Sequence, residues 1–201
     1  MASAMAAPPA GAYTFTLNPA SPKTIYLQIG NGTFNGGQYI QGGSGGRNAT
    51  INTVSLNLSP TVIGNGTAQA MTTDSTAANS FLDGYAFCNL PNQLYIGGYY
   101  RTASGNTAAA QVVASVPASL VNAGGATIPF SQIAWTSSGN GPGNATQPFP
   151  SGAFVAGAQQ NVGGFASNQW AESCWTFSYL NTVTPGSGTF NGTVTFTVTT
   201  P

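Results

Sequence analysis

The stretch 188-GTFNGTVTFTVTTP-201 decides the fold class. Phe190, Val194, Phe196 and Val198 fall on one face, and Thr189, Thr193, Thr195, Thr197 and Thr199 on the other. That two-residue period is the signature of a half-buried β-strand. The strand runs to the last residue of the sequence with no charge to blunt its edge, which raises the question of what covers it.

Other stretches repeat the pattern. Tyr13, Phe15 and Leu17 alternate with Thr14 and Thr16; Ile25, Leu27 and Ile29 with Tyr26 and Gln28; Val54, Leu56 and Leu58 with Ser55 and Asn57. Further strands are expected at 94-LYIGGYY-100, 111-QVVASV-116, 128-IPFSQIAW-135 and 175-WTFSY-179. Segments 67–81 and 105–112 hold enough alanine for a short helical turn but lack an amphipathic period. Many short strands parted by turn residues predict an all-β, antiparallel sandwich, immunoglobulin-like or jelly-roll. The linkers 30-GNGTFNGGQ-38, 42-GGSGGRN-48 and 137-SSGNGPGNATQPFPSG-152 are too polar and glycine-rich to be core. GTFNG at 32–36 and 188–192, and IGNGT at 29–33 and 63–67, show no fixed period and mark recurring turns rather than repeats.

Composition narrows the function. Of 201 residues only 3% are charged: Lys23, Arg47, Arg101, Asp74, Asp83 and Glu172. The net charge is zero and histidine is absent, so there is no electrostatic footprint for nucleic acid or an anionic membrane. No apolar run approaches a membrane span. Near-zero charge favours association and suits a chain packed, glycosylated or polymerised outside the cell. The small-x-small triplets Ala2-Ser3-Ala4 and Ala4-Met5-Ala6 resemble the end of a secretory signal, so we expect a secreted, nearly mature chain. Six N-x-Ser/Thr sequons, at Asn31, Asn48, Asn57, Asn65, Asn144 and Asn191, are read as surface loops.

Two cysteines, Cys88 and Cys174, are expected to form a disulfide and to pin the sheets together. A loop of that length is worth on the order of 4 kcal/mol in the chain-entropy model. Without histidine they make a poor zinc site, and no metal or cofactor is expected.

Catalysis is left with carboxylates, because a serine–histidine triad is impossible and lysine schemes have only Lys23. A glycosidase needs two carboxylates across a sugar. Asp83 and Glu172 flank the cysteines in 83-DGYAFC-88 and 170-WAESCW-175, with Tyr85, Trp170 and Trp175 close by. A glycan-binding cleft of Asp83, Tyr85, Trp170 and Glu172 can be drawn, with Tyr95, Tyr99, Tyr100 and Trp135 as further stacking residues. The plainer alternative pairs Glu172 or Asp83 with Arg101 and buries the aromatics as packing residues. We expect no enzyme.

The stretches 188-GTFNGTVTFTVTTP-201 and 12-AYTFTLN-18 together resemble the pilins of chaperone-usher fibres, including the spore-coat-protein-U-like group. In that family a Gly-x-[YF]-x-[GD]-T-V stretch leads into the terminal strand, and the sandwich lacks one strand, which the neighbouring subunit donates. The resemblance implies a secreted structural subunit of a filament, pilus or surface layer. Residues 1–18 become an N-terminal extension and 19–201 a single sandwich. Tyr13, Phe15 and Leu17 would be the donated side chains, and Phe190, Val194, Phe196 and Val198 the acceptor strand. The partners implied are further copies of the chain, a periplasmic chaperone, and glycans if the alternative reading as a carbohydrate-binding module or adhesin holds.

Overall fold

The computed structural model describes residues 13–35, 44–80, 84, 86–138 and 147–201. The first part of the chain forms β1 (Tyr13–Thr16), β2 (Thr24–Ile29), β3 (Thr33–Asn35), β4 (Ser44–Gly46), β5 (Val54–Ser55), β6 (Gln69–Ala70) and β7 (Thr72–Thr73). The middle holds β8 (Leu94–Arg101), β9 (Ala110–Ser115), β10 (Ser119–Val121), β11 (Thr127–Pro129) and β12 (Ile133–Ser137). The last part adds β13 (Gly152–Ala153), β14 (Gln159–Phe165), β15 (Gln169–Tyr179) and β16 (Thr195–Thr199). A single 3-10 turn, Phe130–Gln132, is the only helix among the described residues. The alanine-rich segments 67–81 and 105–112 therefore supply strands, not helical turns: β6, β7 and the start of β9. Their side chains are more useful in a sheet, where Ala110, Val112 and Ala114 all face inward.

All strand pairs among the described residues are antiparallel, and they form two facing sheets with three small two-stranded sheets, β3-β4, β5-β7 and β10-β11. The main sheet runs β13-β12-β15-β8-β2, and the second runs β14-β9-β16. β15 is the spine. One of its edges carries β8 opposite residues 169–174 and β6 opposite Ser178 and Tyr179. Its other edge carries β1 opposite residues 169–172 and β12 opposite residues 175–179, end to end.

The core lies between the sheets. Leu94, Ile96, Tyr100, Ala171, Trp175 and Phe177 from the main sheet meet Val112, Ala114, Val162 and Phe165 from the second. Trp175 is fully buried, with ring contacts to Trp135, Phe149, Phe177 and Phe196. The alternation read at 54–58 survives as packing, since Val54, Leu56 and Leu58 lean on this core although only Val54–Ser55 pair as a strand. β14 carries no simple alternation; its pairing with β9 shifts register between Asn161 and Gly163, a bulge that keeps both Val162 and Phe165 inward.

The disulfide Cys88–Cys174 is formed. It does not join the two sheets. Cys174 lies on the face of β15 turned away from the second sheet, and Cys88 belongs to the loop that crosses that face, with Phe87 and Tyr95 packed around the sulfurs.

Candidate functional site

Alternation along β15 sends its even residues to the side opposite the core. Trp170, Glu172 and Cys174 stand in a row there, opposite Tyr99, Gly97 and Tyr95 of β8. Tyr26 and Gln28 of β2 continue the face, because Tyr26 pairs with Tyr99 and Gln28 with Gly97. The result is a second cluster of Leu17, Tyr26, Tyr99 and Trp170, with Phe34 of β3 against it. Trp170 stacks at 6.1 Å on Tyr26 and lies 5.9 Å from Tyr99 and 6.0 Å, edge-on, from Phe34.

Glu172 sits at the centre of this face and is 1% exposed. Ser80 Oγ donates to its Oε1 at 2.6 Å, while Tyr95 OH and Trp170 Nε1 donate to its Oε2 at 2.7 and 3.0 Å. A buried carboxyl is tolerable only when its oxygens are satisfied in this way. Gly97 is required opposite it: a Cβ there would collide with the Tyr95 hydroxyl and with Glu172 Cβ. Burial pushes the Tyr99 hydroxyl above its usual value, and does the same to Tyr179 on the core face.

This geometry corrects the drawn cleft at two of its four residues. Trp170 is fully buried between tyrosines, and the Glu172 carboxyl is occupied by internal donors, so neither presents a surface to a sugar. Asp83 and Tyr85 lie outside the described residues. Tyr95, Tyr99, Tyr100 and Trp135 are all buried. Arg101 donates from Nε to the carbonyl of Asn18 at 2.8 Å, anchoring the segment that follows β1. Ser80 as a partner of Glu172 left no mark in the sequence; parity alone placed Glu172 beside Cys174.

The two strands of the donation reading fall in different sheets. β1 lies on β15, with Tyr13 opposite Glu172 and Phe15 opposite Trp170. Phe15 is half exposed, and Leu17 is buried in the outer cluster. β16 pairs with β9 at the edge of the second sheet, far along the chain from β1's partner. Phe190, Val194, Phe196 and Val198 are partly buried against the chain's own core. An acceptor role for those four residues is thereby displaced: their inward face is already in use, and the strand that receives β1 is β15.

The sequons also separate. Asn48, Asn57, Asn65 and Asn191 are exposed, Asn31 is half-buried, and Asn144 lies outside the described residues. No protein-family model matches the chain, and no curated protein or solved structure is significantly similar to it.

Proposed function

We propose that the chain is a secreted structural subunit of an extracellular filament or surface layer, joined to the next copy by exchange of β1. One observation carries the reading. β1 occupies an open edge of β15 through four residue pairs, and none of residues 14–17 belongs to the core between the sheets. The sandwich keeps its core whether β1 comes from its own chain or from a neighbour. Strand addition supplies main-chain hydrogen bonds along β15 and seats alternate side chains on Trp170 and its neighbours. The acceptor in this arrangement is residues 169–172, Leu17 travels with the donated segment, and the linker that must swing is 18–23.

A disulfide and a surface of amides and hydroxyls suit life outside the cell, where an uncharged surface also promotes packing of like with like. An assembly chaperone would act by covering the same edge of β15 until the neighbour arrives.

The test is negative-stain microscopy with light scattering on the full chain and on a variant lacking residues 1–16. Regular fibres or ladders from the full chain, absent from the truncated one, support the proposal. Discrete single subunits from both samples would sink it, provided the truncated protein retains its disulfide and its unfolding transition.

A further inference from the structure

At the β2 side of the outer face lie two adjoining hollows, of about 150 and about 300 Å³, with Asn31, Gly32 and Asn48 as their shared wall. Tyr26, Gln28 and Thr50 line the first, and Thr76 lines the second. Amides, hydroxyls and glycines dominate the lining, with Leu27, Ile29 and Ala77 as its apolar members, and none of the described lining residues is charged.

The two asparagines are held in fixed orientations. Asn31 Oδ1 accepts from Thr76 N at 2.8 Å, Ser75 Oγ at 3.0 Å and Thr76 Oγ1 at 3.3 Å. Its own backbone N–H donates to Asn52 Oδ1 at 2.6 Å, and Asn52 is in turn bonded to Asp74. Asn48 Oδ1 accepts from Thr50 N at 3.0 Å. A backbone N–H can only donate, so each amide oxygen is assigned without ambiguity. Every NH₂ proton of Asn31 and Asn48 is therefore unspent on the described residues. Gly30, at φ 68°, makes the turn that brings Asn31 here; a side chain in its place would collide with Asn52 Oδ1.

From this geometry we infer that the paired hollows bind a neutral saccharide. Two oriented amide donors beside two threonine hydroxyls match the alternating donor and acceptor capacity of vicinal sugar hydroxyls. None of the described lining residues is a cation, which disfavours sialylated or sulfated chains. The hollows border the Trp170–Glu172 face, sharing Tyr26 and Gln28 with it, but neither Trp170 nor Glu172 lines them and binding does not depend on filament assembly. Tyr26 is too deeply buried to act as a stacking platform, so binding rests on hydrogen bonds and is weak for a single site; copies arrayed in a polymer would compensate by avidity.

The experiment uses the full chain made in a host without N-glycosylation, because Asn31 and Asn48 are themselves sequon residues. Saturation-transfer NMR is run with maltotriose, chitotriose and galactobiose, alongside an array of neutral and anionic glycans. We expect binding to one neutral class, weakened about tenfold or more by Asn48→Ala and unchanged by Asn191→Ala, which lies outside the hollows. Asn48 is exposed and its side chain bonds only Thr50 N among the described residues, so this variant is expected to fold; circular dichroism checks it. Binding to no neutral glycan, binding only to anionic glycans, or binding indifferent to Asn48→Ala would each overturn the inference.

Discussion

The two faces of β15 are built from the same eleven residues by opposite means. Toward the second sheet, Ala171, Trp175, Phe177 and Tyr179 enter an apolar core that gains stability from burial and close packing. On the other side, Trp170, Glu172 and Cys174 are covered by loops and hairpins and held by hydrogen bonds, ring contacts and a disulfide. The first face tolerates substitution by shape, whereas the second depends on each polar partner being in place. Function, on our reading, sits beside the second.

The sharpest probe of that contrast is Trp175→Ala, which empties the centre of the core and should cost about 4 kcal/mol in urea unfolding. Next comes Glu172→Ala on the opposite face, which strands the Ser80, Tyr95 and Trp170 donors and should cost about 3 kcal/mol. A near-neutral result for Glu172→Ala would mean that the outer face does not depend on its polar partners. Removing residues 1–16 should cost only about 1–2 kcal/mol, since it forfeits a few edge hydrogen bonds and recovers chain entropy. Tryptophan fluorescence should shift in the same truncation, because Trp170 loses cover while Trp175 does not.

Smaller still is Ser173→Ala. Its hydroxyl is buried and has no partner among the described residues, so the change should be neutral or stabilising by up to about 1 kcal/mol. The last effect is one of pH. Asn52 and the Thr53 backbone N–H hold the exposed Asp74 carboxyl below its usual value. A depressed folded-state value means the contribution is complete above the unfolded value of 3.8 and is lost as pH falls through the lower folded value. Acid unfolding of Asp74→Asn should therefore lack a small component below about pH 4 that the parent chain shows.

How far the sequence could be read differs between these regions as well. Two-residue alternation revealed β1, β2, β8, β9 and most of the core face of β15, because one buried side imposes that period directly. It missed β14, where a bulge breaks the period around Gly163, and the β3–β4 hairpin, whose glycine-rich strands look like a linker. It also broke 128–135 at the wrong grain, since the 3-10 turn at Phe130 separates β11 from β12. Glu172 and Trp170 were legible as neighbours but not as buried, because burial there comes from loops whose cover no local pattern encodes. The Asn31–Asn48 hollows had only sequons to mark them, and their amide geometry depends on Thr76, distant in sequence.

The antiparallel seat of β1 on β15 also has a mechanical meaning. A pull along the axis of β1 loads its four residue pairs together, in shear, rather than opening them one after another as a zipper. The load then passes into β15, and two residues beyond Glu172 it reaches Cys174. There the covalent link to Cys88, at a sequence separation of 86, closes the intervening chain into a loop that cannot be drawn out between those points. Tension entering by this route meets a strand that slips before it peels, backed by a body whose largest reserve of length is locked.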